Sequence, residues 1–406
     1  MGTSQGRVRS VLLLCVVVTV VATPAIAVAG GDGLIGTAVA QEDGDEGNEE
    51  GGIEGAIQEF AERGGLLGSV AVLVAGVVLL TAATEKLISY LTRASLGLRM
   101  SLFALAILFT GFEFDDTVVA LVFSAGELEG AALGTALGTG LAIVGITLAL
   151  AAIVRPFPVD IPNDYVLLLG LTPLVLVPFV VVGTLTFVHG VLLIVVCALL
   201  FGYIILREHQ RDTPVFRSSD LGEQIRADGG AQLHAGLSEI PEDRLLGRFS
   251  TSGWVWIGLS VVALVGIVFA SMLLESGSEV VIEGFGLDQT VFGATVLTAI
   301  LTFEDIVLTI EPVRRGVPEI GVGNVIGSVL FSVTGNVGVI MLLSDLTIAP
   351  SVLQFHLPAI IVVTAIAAYF LSTGRLKRWH GVLLGGLYVA YWVVAVFVFG
   401  GVPIGG

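Results

Sequence analysis

Five carboxylates sit inside stretches that are otherwise apolar: Glu113, Asp115 and Asp116 in LFALAILFTGFEFDDT (residues 102–117), and Glu304 and Asp305 in VFGATVLTAILTFEDI (residues 291–306). Aligned, the two stretches set Glu113 opposite Thr302, Asp115 opposite Glu304, and Asp116 opposite Asp305. Residues three or four apart share a helix face. Glu113 and Asp116 meet that condition, as do Thr298, Thr302, Asp305 and Thr309, which make an oxygen-bearing stripe. Asp115 and Glu304 point elsewhere on their helices and suit a second position or an aqueous path. A second pair of segments repeats as well, GTALGT at residues 134–139 and GNVIGS at residues 323–328. There Asn324, Ser328 and Ser332 recur every four residues, presenting an amide and hydroxyl oxygens on one face; Thr135 and Thr139 are their counterparts, with Ile143 in the third place.

Carboxylate, amide and hydroxyl oxygens together suit hard cations such as Ca²⁺ and Na⁺ and disfavour soft metals. A carboxylate at mid-membrane costs on the order of 3 kcal/mol on insertion scales, so a group of them needs a reason. Internal salt bridges would be the bland one, but the hydropathy pattern assigns every Lys and Arg to a loop or to the N-terminal segment. Protons or bound cations must then supply the neutrality. For the polar stripe, hydrogen bonding between helices competes with coordination. Gly126, Gly130, Gly134 and Gly138, also at intervals of four, read as a small-residue stripe for close helix packing. His189, His209, His234, His356 and His380 are scattered without ligand spacing, and Cys15 and Cys197 support neither a disulfide framework nor a thiolate site.

The elements that position these residues follow from composition. Of 406 residues, 55% are hydrophobic and 13% charged, and the mean hydropathy is +0.97, far above a soluble globular chain. Apolar runs of spanning length lie near 66–84, 98–123, 130–152, 163–184 and 188–206, and again near 253–274, 287–311, 320–343, 354–372 and 380–400. Helices satisfy their own backbone in lipid. The fold class expected is therefore an all-α polytopic membrane protein with ten transmembrane helices, arranged as two inverted five-helix repeats because an odd number of spans turns the second half over.

Residues 1–40, with Arg7 and Arg9 before an apolar stretch and Ala38-Val39-Ala40 at its end, read as a signal peptide, a retained extra helix being the alternative. Residues 41–64 form an acidic tail expected to be disordered and extracellular, and they hold much of the net charge of -17. The first repeat covers 65–206, a linker rich in arginines and acids covers 207–250, and the second repeat covers 251–406. Lys and Arg favour cytoplasmic loops. Lys86, Arg93, Arg99, Arg155, Arg314, Arg315, Arg375, Lys377 and Arg378 join the arginines of 207–250 on one side, whereas Glu127, Glu129, Glu275, Glu279, Glu283 and Asp288 fall in loops on the other. That map places the chain in the cell membrane with both mature termini outside and 207–250 in the cytoplasm.

At this point the residues resemble the cation/Ca²⁺ exchanger superfamily over about 66–400. GATVLTAILTFED (residues 293–305) and GNVIGS (residues 323–328) are similar to that family's GATVLAxGTSxPE and GNxxGSN, and HGVLLGGLYVAYW (residues 380–392) resembles its last helix. The resemblance implies that Asp116 and Asp305 take the place of the family's Ca²⁺-binding glutamates, Glu113 and Thr302 that of the motif serine, and Thr139 and Ser328 that of the GS serine. It also implies neighbouring hydroxyls and carbonyls that hold Na⁺, and helix sliding that alternates access. The sequence departs from the pattern where Asp115 and Glu304 replace the motif proline, and Gly140 and Val329 the asparagine after GS.

The function expected is a membrane cation antiporter exchanging Ca²⁺ for Na⁺ by alternating access at a midplane site of Asp116, Asp305, Glu113, Thr302, Glu304, Asp115, Thr139, Ser328, Asn324, Thr135 and Ser332. Three acids in the first repeat make a cation/proton antiporter of the same fold the alternative. A non-transporting ion sensor, with 207–250 as its output, is a weaker one. No nucleophile and base pair marks an enzyme. No cofactor is expected; the partners are the lipid bilayer and inorganic cations, with no sign of nucleic acid or a protein. Replacing residues 211–250 by a flexible linker separates sensor from transporter, since cation flux into vesicles is expected to stay within about twofold of the full chain.

Overall fold

The computed structural model describes residue 57 and residues 63–97, 113–210, 253–315 and 318–400. The proposed signal peptide, nearly all of the acidic tail, residues 98–112 and most of the 207–250 linker lie outside the described residues. The rest is almost wholly helical. The helices are α1 (Gly65–Gly97), α2 (Phe114–Ala125), α3 (Glu129–Ala142, continued through Ile143–Leu148 to Ala149–Val154), α4 (Asn163–Leu171, continued through Thr172–Leu176 to Val177–Val182) and α5 (Phe187–Gln210). Then come α6 (Gly253–Phe285), α7 (Gln289–Phe292, continued through Gly293–Leu297 to Thr298–Arg315), α8 (Pro318–Leu330, continued through Phe331–Asn336 to Val337–Ile340), α9 (Val352–His356 with Leu357–Ser372) and α10 (Arg378–Val394 with Ala395–Phe399). Among the described residues eight helices are long and apolar enough to cross a membrane. Apolar sequence of this length folds as helix because no other open structure pairs every peptide group in lipid.

Two short antiparallel bridges join the halves. Phe157–Pro158 pairs with Arg375–Leu376, and Thr184–Leu185 pairs with Leu346–Thr347, one bridge near the Arg155 end of α3 and the other near the Ile340 end of α8. Each end therefore carries backbone from both halves.

Two helices outrun their apolar stretches. α1 and α6 each run 33 residues, so Lys86 and Arg93 belong to α1, and Glu275, Glu279 and Glu283 belong to α6, instead of to loops. Such a helix is ~50 Å long and exceeds the ~30 Å hydrocarbon layer, so charge can ride on helix without entering the layer's middle. Glu275 is nevertheless buried, its carboxylate packed onto Gly126 at the end of α2. A third boundary differs at 98–123, expected as one span: the backbone leaves helical geometry at Glu113 (φ -86, ψ 82) and α2 starts only at Phe114.

The tightest packing is between α3 and α7. A β-carbon on Gly134 would collide with the Thr290 carbonyl oxygen, one on Gly138 with the Thr298 hydroxyl, and one on Gly293 with the Ala131 carbonyl oxygen. Gly130, Gly134 and Gly138 thus make α3 a packing surface as the sequence suggested, whereas Gly126 falls before α3, at the end of α2, and packs on Glu275. α1 and α6 lie antiparallel with a reciprocal pair of contacts, Gly76 on Leu274 and Gly277 on Leu73. Gly134→Val is expected to destabilise the protein by about 1–3 kcal/mol or more through overpacking, read as a lower midpoint of thermal unfolding in detergent, whereas Gly202→Ala, in open space on α5, should leave the midpoint unchanged.

Candidate cation site

The site gathers where the start of α2 meets the middle of α7 and α8. Glu113 sits at the N-terminal boundary of α2, with Asp115 and Asp116 in its first turn. That end of a helix carries partial positive charge, which favours carboxylates there. Asp116 is buried, while Glu113 and Asp115 are half-buried.

Glu113 is held from the other half of the chain. Ser332 donates its hydroxyl to Glu113 Oε2 at 3.0 Å, and Ser328 bears on the same carboxylate. Asp116 and Asp305 lie close enough to act on Glu113 electrostatically. Its other oxygen, Oε1, is buried and receives no hydrogen bond of ordinary geometry among the described residues. On the α7 side, Asn324 Nδ2 donates to Asp305 Oδ1 at 3.3 Å and to Thr309 Oγ1 at 3.4 Å. The amide therefore turns its N–H groups toward an acid and a hydroxyl.

The hydroxyls divide into two groups. Thr302 donates to the Thr298 carbonyl at 2.7 Å, and Thr135 to the Ala131 carbonyl at 2.8 Å, so both protons are spent on their own helices. Thr298 donates to Gly293 O at 2.9 Å and also reaches the Thr135 carbonyl at 3.4 Å, bridging α7 to α3. A hydroxyl used in this way keeps its lone pairs for a cation. Thr139 is buried and its oxygen has no partner among the described residues.

The structure thus brings together Glu113, Asp116, Asp305, Asn324, Ser328 and Ser332; Thr135 and Thr139 are buried on α3, and Thr302 is buried on α7 one turn before Asp305. Asp115 is on α2 but not among the groups that bear on Glu113, and the Glu304 side chain lies outside the described residues. No three His, Cys, Asp or Glu side chains among the described residues form a metal cage by themselves. Any ion held here is shared between acids and neutral oxygens, the donor set that Ca²⁺ and Na⁺ take. Sequence reasoning ended the polar stripe at Ser332; the next step of four reaches Asn336, which is fully buried, and would have extended it.

Among the described residues, Arg155 and Arg207 find their partners away from this centre. Arg155 hydrogen-bonds the carbonyl oxygens of Val313, at 3.5 Å, and Arg314, while Arg207 pairs with Asp164 at 3.1 Å. Arg375, Lys377 and Arg378 stand at the same end, beside the Phe157–Pro158 bridge.

Residues 255–397 match the family described as sodium/calcium exchanger protein. Over its whole length the inner membrane protein YrbG of Escherichia coli aligns with 82% of this chain at 25% identity. The sodium/calcium exchanger MaX1 of Methanosarcina acetivorans is 32% identical over 157 residues, which are 38% of this chain and 44% of that one. A solved structure of the sodium-calcium exchanger NCX_Mj covers 80% of this chain and 98% of its own, with 19% identity and a TM-score of 0.48. The second half of the chain thus matches the sodium/calcium exchanger family, and the likeness to an inner membrane protein extends over 82% of the chain.

Proposed function

We propose that the protein exchanges Ca²⁺ for Na⁺, the two ions competing for a single midplane site that opens to each side of the membrane in turn. The observation that carries this reading is the hydrogen bond from Ser332 to Glu113, which ties the acids of the first half to the hydroxyl row of the second. Asp116 and Asp305 are the main cation ligands, Glu113, Ser328, Asn324 and Thr139 complete the shell, and Thr302, Thr135 and Ser332 contribute hydroxyl oxygens. Asp115 and Glu304 line the approach. Occupied carboxylates are neutral and can move with the protein; an empty site keeps buried negative charge that opposes the transition, so exchange is favoured over leak.

The architecture in this reading is ten membrane helices in two inverted repeats. Its support is the recurrence of parts in the same order: a 33-residue helix opens each half as α1 and α6, and π-helical stretches interrupt both α3 and α8. The end bearing Arg155, Arg314 and Arg375 faces the cytoplasm, by the preference of basic residues for that side.

One observation favours a second reading. Glu113, Asp116 and Asp305 crowd one place, where the motif of the family has fewer acids, and crowded carboxylates take up protons when cations are scarce. In that case the coupling ion is H⁺. Both readings are separated by Ca²⁺ uptake into vesicles of the purified protein under an imposed Na⁺ gradient or an imposed pH gradient. The Na⁺ gradient is expected to drive uptake without a pH difference, and Asp116→Asn and Asp305→Asn are each expected to lower the rate at least about 100-fold, the cost of removing a charged ligand. Uptake that follows only the pH gradient would replace Na⁺ by H⁺; no flux with either, and unchanged Ca²⁺ binding in both variants, would end the antiport reading. Ser332→Ala is expected to weaken Ca²⁺ binding by about tenfold, the worth of a hydrogen bond to a charged group, without abolishing transport, as measured by titration calorimetry.

A further inference from the structure

Two buried polar side chains have no role in the site described above. Asn336 is 0% exposed, and neither Oδ1 nor Nδ2 has a hydrogen-bond partner among the described residues. Thr147 is likewise 0% exposed, with its hydroxyl oxygen unpartnered. A buried amide left with both ends open is costly and rare in a packed interior.

Their placement repeats between the halves. Thr147 lies in the π-helical stretch of α3, Ile143–Leu148, and Asn336 closes that of α8, Phe331–Asn336. Each continues a row of the central site at the same interval: Asn324, Ser328, Ser332, Asn336 on α8, and Thr135, Thr139, Ile143, Thr147 on α3. In an α-helix of 3.6 residues per turn, each step of four drifts by about 40° around the axis. The wider π turn takes back drift between Ser332 and Asn336, which keeps the amide on the face whose hydroxyl reaches Glu113. α2 runs alongside this face, since its first residues meet Ser332 and Ser124, near its end, reaches the Ile340 carbonyl at 3.4 Å. Asn336 falls between those two contacts.

The two residues lie toward opposite ends of the molecule. Thr147 is on the Arg155 side of α3, near the Phe157–Pro158 bridge, and Asn336 is on the Ile340 side of α8, near the Leu346–Thr347 bridge. An amide presents one acceptor and two N–H donors. A bare cation would use the acceptor alone, but a cation still carrying water uses both ends: Oδ1 coordinates the ion and Nδ2 donates to the oxygen of one of its waters. The threonine hydroxyl can do the same with its lone pairs and its proton.

We propose that Asn336 and Thr147 are waiting positions for a partly hydrated hard cation, one toward each end of the molecule, Asn336 about one helical turn beyond Ser332 and Thr147 about two turns beyond Thr139. The proposal rests on the antiport reading, in which an ion must shed water between either face and the central site.

The test uses the full chain in proteoliposomes, with Na⁺ or Ca²⁺ varied on one face at a time. Asn336→Leu is expected to raise the half-saturating cation concentration about tenfold at the face bearing the Thr184–Leu185 bridge, the loss of one oxygen ligand, while the opposite face stays within about twofold. Thr147→Val is expected to give the converse, with the shift at the Arg155 face. Asn336→Asp supplies a stronger oxygen ligand and is expected to lower the half-saturating concentration at its own face, a gain that a damaged fold does not produce. Equal shifts at both faces, no shift at either, or weaker cation use by Asn336→Asp overturn the proposal. Wild-type flux judges the antiport reading separately. Should that flux be absent, Na⁺ and Ca²⁺ isotherms of the solubilised variants decide, and isotherms identical to wild type overturn the proposal too.

Discussion

The backbone contact between α3 and α7 is the constraint on which the site depends. Lipid offers helices no hydrophobic reward for associating, so they hold together by close packing and hydrogen bonds. At Gly134, Gly138 and Gly293 the absence of a side chain lets one helix rest directly on carbonyl oxygens of the other. That approach lets the Thr298 hydroxyl reach the Thr135 carbonyl across the interface. It also fixes how closely α7, which carries Asp305, lies against α3. A methyl group at any of these glycines would push α3 and α7 apart.

Around this contact the polar groups are shared crosswise. Glu113 from the first half is held by Ser332 from the second, while Asp305 and Thr309 are both held by Asn324 of the following helix. The two halves are not chemically equal, since Glu113 stands where the second half has Thr302. The helix boundary at Glu113 compensates in part, because it turns the N-terminal end of α2 toward the extra acids. Ser328 and Ser332 add neutral hydroxyls beside the acids, and among the described residues no three acids form a cage alone.

The charges outside the shell are sorted by end. Arg155, Arg314, Arg375 and Lys377 cluster at one end, close to one bridge between the halves, and Glu275 and Asp288 occupy α6 and the turn after it toward the other. Arg155 is committed to backbone carbonyls, and Arg207 to Asp164.

The sequence by itself determined the helical fold, because long apolar runs in lipid have only one open way to pair their peptide groups. It also determined the chemistry of the site: which residues are acids, which bear hydroxyls, and that both recur in register, since these are matters of residue type and spacing. Spacing placed Glu113 beside Asp116, and Asn324 in line with Ser328 and Ser332, as the structure has them. Helix ends were less legible, because hydropathy falls where charge begins whereas hydrogen bonding does not; α1 and α6 therefore outrun their apolar stretches and carry Lys86 and Glu275 within them. Only tertiary structure could decide that Ser332 meets Glu113, that Asn324 bridges Asp305 to Thr309, and that Asn336 is buried with both ends open. Those facts depend on how two distant segments cross and on a local widening of the helix, and neither leaves a mark in residue periodicity.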